Sequence, residues 1–205
     1  MAKKLFIEVN LRNIILFIII LIFVIKLTNI YDKFRYKAVH VPKHILHKIF
    51  KEGNYEGKAE YGKTKIYPNG LIAKVTANIK HVRDGDVIVN NTIDAYDKIT
   101  GKHAYYGLRE ITYDYKPNHG ENVFRNKKSY INGKLVSSSH GRIVDFSENS
   151  IKVISHGSWH ISDDDFEMST VITRNGDKIT SKYINYGMIP YFMDMHMKEE
   201  FNQVN

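Results

Sequence analysis

The string His156-Gly157-Ser158-Trp159-His160 sets a serine among imidazoles. A nucleophilic serine needs a base in hydrogen-bond reach and, in an elbow, a glycine two residues on and a following helix. Position 160 is histidine and the surrounding residues read as strand, so no nucleophile is expected there. His40, His44 and His47 follow i, i+4, i+7 spacing, which on one helix would aim three imidazoles at a metal. Pro42 breaks that spacing, because proline opens a helix rather than continuing one, and His40 leaves the face. Met193, His196 and Met197 would share a helical face and offer soft ligands to Cu(I). With Met188 and Met195, they equally suit a terminal segment filling irregular gaps on the end of a domain, which is the expectation here.

Ser-His-Gly occurs at 139–141 and again at 155–157. A three-residue loop centred on Glu148 would bring His140 opposite His156. A two-residue Glu148-Asn149 loop would instead pair Asp145 with Lys152 and Phe146 with Ile151, the better cross-strand partners, and is preferred. Phosphate-cradling glycine loops, H-E-x-x-H and EF-hand spacings do not occur. The chain has no cysteine, which excludes disulfides, thiol nucleophiles and cysteine-bound metal. The expectation is a protein without catalysis, metal or cofactor.

A binding group is a different matter. Tyr105, Gly107, Arg109, Ile111, Tyr113 and Tyr115 alternate along one strand face, with Ala104, Tyr106, Leu108, Glu110, Thr112 and Asp114 on the other. Facing a barrel interior, Arg109 would be a cation in low dielectric and would need a bound anion or an internal acid. Its fork, beside the hydroxyls of Tyr105 and Tyr113, suits a carboxylate or phosphate headgroup, with Ile111 against the tail. Facing outward, Arg109 would be solvated, the commoner state of arginine.

The elements that must position these residues are strands. Leu71, Ala73, Val75, Ala77 and Ile79 alternate with polar residues, and turn signals recur at Asp84-Gly85, Thr100-Gly101, Asn132-Gly133 and Asn175-Gly176. About nine strands follow, near 54–61, 71–82, 86–97, 102–115, 122–131, 134–146, 150–161, 166–174 and 177–185. Short turns make consecutive strands antiparallel neighbours, and closure removes the two sticky edges. The fold class is therefore mainly β, an antiparallel up-and-down barrel, with an open β-roll or sandwich as the alternative.

Gly53-Asn54-Tyr55-Glu56-Gly57, after a short helix, resembles the G-x-W opening of lipocalins and other calycins, with Tyr55 in place of the tryptophan. That resemblance implies a barrel with a lumen for small apolar ligands. The layout is also similar to membrane-anchored lipopolysaccharide-transport proteins, which have one N-terminal helix and an external β-roll.

Ile14 to Ile25 is twelve consecutive apolar residues. Extended from Asn13 to Tyr31 the helix would reach about 28 Å, close to the ~30 Å of a hydrocarbon core. KLTNIYDKF follows without small residues for cleavage, so an uncleaved single-pass anchor is expected over 1–31. A basic connector over 32–52 (Lys33, Arg35, Lys37, Lys43, Lys48 and Lys51 against Asp32 and Glu52) follows, then the β domain over 53–187 and a Met-rich segment over 188–205. The short basic tail favours the β domain on the non-cytoplasmic side.

Thirty Lys+Arg against 22 Asp+Glu give a net charge of +8, but much of the excess lies beside the anchor, where lipid headgroups and not nucleic acid are the partner. The functional expectation is a membrane-anchored, non-catalytic barrel for an apolar or amphipathic small molecule such as a lipid or fatty acid. The alternative is an assembly component docking partner proteins at the membrane.

Overall fold

The computed structural model describes residues 14, 16–23, 37–64, 66–82, 85–116, 122–161, 164–187 and 196–204. The chain divides into two units, Met1–Lys37 and Ala38–Asn205. In the first, residues 16–23 are helical and their large apolar side chains are exposed, Phe17 at 66% and Phe23 at 62%. No described helix is long and apolar enough to cross a membrane. Residues 24–31, which the expected span also requires, lie outside the described residues, as do 32–36 of the connector.

The second unit is a closed antiparallel barrel. Its strands are β1 (Gly53–Tyr61), β2 (Leu71–His81), β3 (Val87–Asp97), β4 (His103–Lys116) and β5 (Asn122–Ile131), then β6 (Lys134–Phe146), β7 (Ser150–Trp159), β8 (Asp164–Asn175), β9 (Lys178–Gly187) and β10 (His196–Val204). Each pairs with the next, and β10 returns to pair with β1 from Asn54–Val204 to Tyr61–Met197. The nine expected strands are present and a tenth comes from the segment read as a Met-rich terminus. Met197, Glu199 and Phe201 alternate inward there, and a glutamate at the central inward position disguises the period of two. A strand also dissolves the helical face proposed for copper, and Met193 lies outside the described residues.

Alternation decides which side chains fill the barrel. On β2, Leu71, Ala73, Val75, Ala77 and Ile79 are buried while Ile72, Lys74 and Thr76 are exposed. The Asn132-Gly133 turn has both residues at positive φ, 48° and 78°, as its sequence predicts. The other hairpin sits one residue later than predicted. Asn175 pairs with Lys178, so Gly176-Asp177 is the turn and only Gly176, at φ 60°, is left-handed. The β6–β7 pair satisfies both readings of its register: His140 faces His156, and Asp145 faces Lys152. A bulge between Ile143 and Asp145 absorbs the one-residue difference.

One end of the barrel is plugged. Pro42 opens helix α1 (Lys43–Ile49), whose Ile45, Leu46 and Ile49 join the core with Val87, Tyr113, Val123 and Ile143. Phe50 meets Tyr113 at 4.4 Å between ring centroids. Arg174 Nη1 donates to the Ile49 carbonyl at 3.4 Å and to Tyr55 Oη at 3.0 Å, and Tyr55 in turn donates to the Lys51 carbonyl at 2.7 Å. Tyr55 is thus a fixture of the plug.

Two imidazoles latch α1 to the rim. His47 stacks on His81 at 3.9 Å, and their Nε2–H groups donate to the carbonyls of Gly85 (3.1 Å) and Phe50 (2.6 Å). Burial, with the nearby His81 and Lys43, holds the His47 pKa below 6.5, against the pull of the Gly85 bond and Glu52. A group depressed in the fold binds fewer protons there than in the unfolded chain. The latch therefore contributes fully above pH 6.5 and weakens as acidity rises below it. Amide exchange in α1 should be faster at pH 5.5 than at pH 7.5, relative to amides in β8, by more than in a His47→Phe variant. Equal ratios would rule the latch out.

Candidate functional site: a charged barrel interior

The alternation of β4 turns Tyr105, Gly107, Arg109, Ile111 and Tyr113 inward. Arg109 is 6% exposed, so the outward, solvated orientation does not hold. Its charge is met by an internal acid contributed by the closing strand. Arg109 Nη1 donates to both oxygens of Glu199, at 2.7 and 2.9 Å. Glu199 also accepts from Tyr61 Oη at 3.1 Å and Tyr183 Oη at 2.7 Å. Four strands, β1, β4, β9 and β10, thereby converge on one carboxylate.

The titration of this group follows from its partners. Burial works against both charges, but Arg109 outweighs it and holds the Glu199 carboxyl below its ordinary range. Glu199 in turn keeps Arg109 protonated well above its ordinary value. Burial first, and Glu199 second, pushes the hydroxyls of Tyr61 and Tyr183 up, so both stay protonated donors. Burial also raises Tyr105, to about 12, and Tyr113.

β5 brings two more cations inward that the sequence reading did not single out. Arg125, 1% exposed, donates from Nη1 to Ser155 Oγ at 3.1 Å and lies 6.0 Å from the Tyr113 ring centre. Its Nε and Nη2 have no partner among the described residues. Lys127, 9% exposed, sits 5.7 Å over the Tyr183 ring. Burial, then repulsion from Arg109 and Arg125, drives its pKa well below 10.5. Glu199 is the sole acid among the buried residues described, and it is already bound to Arg109. The interior is therefore electropositive beside Arg125. The signal was present in the sequence as Val123, Arg125 and Lys127 alternating with Phe124, Asn126 and Lys128. An alternation whose inward face is cationic does not announce itself as inward.

Space inside is small. A cavity of about 30 Å³ lies under the plug, lined by Phe50, Tyr55, Ile111, Tyr113, Tyr183 and Glu199 among others. That is room for about one water. A larger groove of about 540 Å³ crosses the outside of β1 to β4 and is edged by Asn54, Asn78, Asn90 and Thr92. The predicted residues Arg109, Ile111 and Tyr113 thus lie close together in the interior, and Tyr105 stands nearer the other end, 6.0 Å from the Tyr67 ring. Among the described residues no three metal-ligating side chains converge.

No protein-family model matches this chain, and no curated protein does. Among solved structures it is similar to Rv2717c from M. tuberculosis, at 10% identity and a TM-score of 0.52, over 82% of this chain and 100% of that one. It also matches a de novo designed fluorescence-activating β-barrel at 12% identity and a TM-score of 0.32, over 77% of this chain and 97% of the design. The likeness to Rv2717c is one of fold, that of an antiparallel β-barrel.

Proposed function

We propose that this chain is a membrane-tethered, non-catalytic barrel that takes up a small amphipathic molecule with an acidic head, such as a fatty acid or related lipid. The head sits at Arg125 and Lys127, and the body lies against Tyr105, Ile111 and Tyr113. The observation that carries the reading is Arg125, a buried guanidinium whose Nε and Nη2 are unpartnered among the described residues, with Lys127 beside it. An uncompensated cation in low dielectric costs several kcal/mol, and an incoming carboxylate would offset that cost. Arg109, whose charge is paired with Glu199 although its Nε has no partner among the described residues, holds the wall in place. The tether rests on the Ile14 to Ile25 run and the exposed apolar side chains of residues 16–23. Three basic residues before the run (Lys3, Lys4, Arg12) and four after it (Lys26, Lys33, Arg35, Lys37) nearly balance. The orientation with the β domain on the non-cytoplasmic side rests on the short tail preceding the run and the folded domain following it.

Lys127 supplies the test. Because its pKa is depressed in the fold, the unfolded chain binds more protons, and stability rises with pH between the folded value and 10.5. Lys127→Met removes that penalty and should stabilise the protein at pH 7 by about 1–3 kcal/mol, while flattening the pH slope. The same change should weaken binding of a fluorescent fatty acid about tenfold. Gain of stability with loss of binding marks a cation kept for a ligand. A Lys127→Met protein that is less stable and binds equally well would defeat the proposal.

The small cavity favours a second reading, an assembly component with a solid core that docks partner proteins at the membrane. Native mass spectrometry and solvent extraction of the full-length protein separate the two. A co-purifying acidic amphiphile supports uptake; an empty barrel that retains a second protein supports assembly.

A further inference from the structure

The plugged end and the opposite end of the barrel carry different tips. In an up-and-down barrel the β1–β2, β3–β4, β5–β6 and β7–β8 connections all emerge at the end away from α1. Three of them expose most of an isoleucine: Ile66 at 70%, Ile99 at 74% and Ile161 at 66%. Around the plug, no large hydrophobic among the described residues exceeds the 42% of Val82, and the β6–β7 and β8–β9 turns are Ser147-Glu148-Asn149 and Gly176-Asp177. Scattered exposed apolar residues are ordinary, but three at the tips of one end are a pattern.

Two of these tips are braced against each other. Asn69 Nδ2 donates to both carboxylate oxygens of Asp97, at 3.2 and 3.0 Å, and Lys98 N–H donates to the Gly70 carbonyl at 3.1 Å. Asp97 also accepts from the N–H groups of Ile99 (3.0 Å) and Thr100 (2.8 Å) and from Thr100 Oγ1 (2.9 Å). Ile66 and Ile99 therefore project from a platform whose polar groups are occupied. Lys63, Lys102 and Lys134 are exposed at the same end. The β7–β8 corner is the acidic one, with Asp163, Asp164 and Asp165 after Ile161 in the sequence. Around Ile66 and Ile99, Lys63, Lys98 and Lys102 outnumber Glu60 and Asp97. Apolar tips in a net positive setting match an anionic lipid surface, in which the isoleucines enter the acyl boundary and the ammonium groups meet the headgroups.

We infer that the unplugged end of the barrel docks on an anionic lipid surface through Ile66 and Ile99, with Lys63 and Lys102 as its electrostatic contacts. The inference is independent of what the interior binds. The absence of cysteine makes single-site labelling clean. Full-length Ile66→Cys, Ile99→Cys and Glu148→Cys variants, each carrying an NBD fluorophore, are reconstituted into phosphatidylcholine vesicles with and without phosphatidylserine. Spin-labelled lipid quencher is placed either in the protein's own bilayer or in added vesicles. Labels at 66 and 99 should brighten at least about twofold and be quenched in one arm, while the label at 148 stays unquenched and solvent-like. Lys63→Glu and Lys102→Glu should each lower the serine-dependent part about fivefold, leaving circular dichroism unchanged. Quenching in the own-bilayer arm means docking beside the tether; quenching in the added-vesicle arm means docking on an opposing membrane; both support a lipid surface. Labels at 66 and 99 that are quenched in neither arm, or no more than the label at 148, overturn it, whether or not another protein binds there.

Discussion

Glu199→Gln should destabilise the barrel by about 3–5 kcal/mol, because it leaves Arg109 buried and uncompensated with Lys127 and Arg125 as neighbours. Glu199 is 1% exposed and binds Arg109, Tyr61 and Tyr183 at once, so glutamine keeps the shape and loses the charge. Arg109→Leu alone should cost a similar amount by stranding the carboxylate. The double change Arg109→Leu with Glu199→Leu should recover much of the loss, since a buried pair exchanged for apolar side chains is often close to neutral. Urea unfolding of the wild type, Arg109→Leu, Glu199→Leu and the double variant closes the cycle. Acid titration adds a second readout. The Glu199 carboxyl is depressed in the fold, so its contribution is complete above 4.5 and is lost only as pH falls below that through the folded value. The Gln variant should lack this acid-side loss. Single variants that unfold together with the wild type would show that the pair does not hold the barrel.

Gly57→Ala should be nearly as damaging, for a steric reason. Gly57 lies on β1 opposite Phe201 of β10, and a methyl group built on it would overlap the Glu200 carbonyl. Backbone cannot swing aside as a side chain can, so the seam must open or shift. A loss of about 3 kcal/mol is expected, at the upper range of overpacking, which for a domain of this size lowers Tm by roughly 6–12 °C. Amide exchange should localise the damage to β1 and β10, with β5 and β6 protected as before. A Tm within about 1 °C of wild type would mean that the seam tolerates a Cβ.

Much of this architecture was legible from period two alone. Leu71 to Ile79 reads as a strand because apolar residues at every second position fit only a half-buried strand. Asn132-Gly133 reads as a hairpin turn because few residue pairs accept two positive φ angles in succession. The parts that were not legible share a cause: the inward residues are polar. β10 hid behind Glu199, and the cationic face of β5 hid behind Arg125 and Lys127. Such residues become readable only when the partner across the lumen is known, and Arg109 and Glu199 stand ninety positions apart in the chain. The short-range alternatives for His140 and Asp145 misled differently, since a bulge allowed both pairings to exist.

The seam between β1 and β10 also governs when the protein can exist at all. On a translating ribosome the first nine strands can pair as they appear, yet the sheet they form keeps β1 and β9 as bare edges until His196–Val204 has emerged. During that interval Arg109 waits without Glu199, and two unpaired strands invite pairing with a neighbouring nascent chain. Contacts between the first and last strands are the slowest kind to make, because the whole intervening chain must be ordered or looped before they form. Nascent chains stalled before residue 196 should therefore be protease-sensitive and bound by holding chaperones, and chains released past residue 204 should become resistant in a single step.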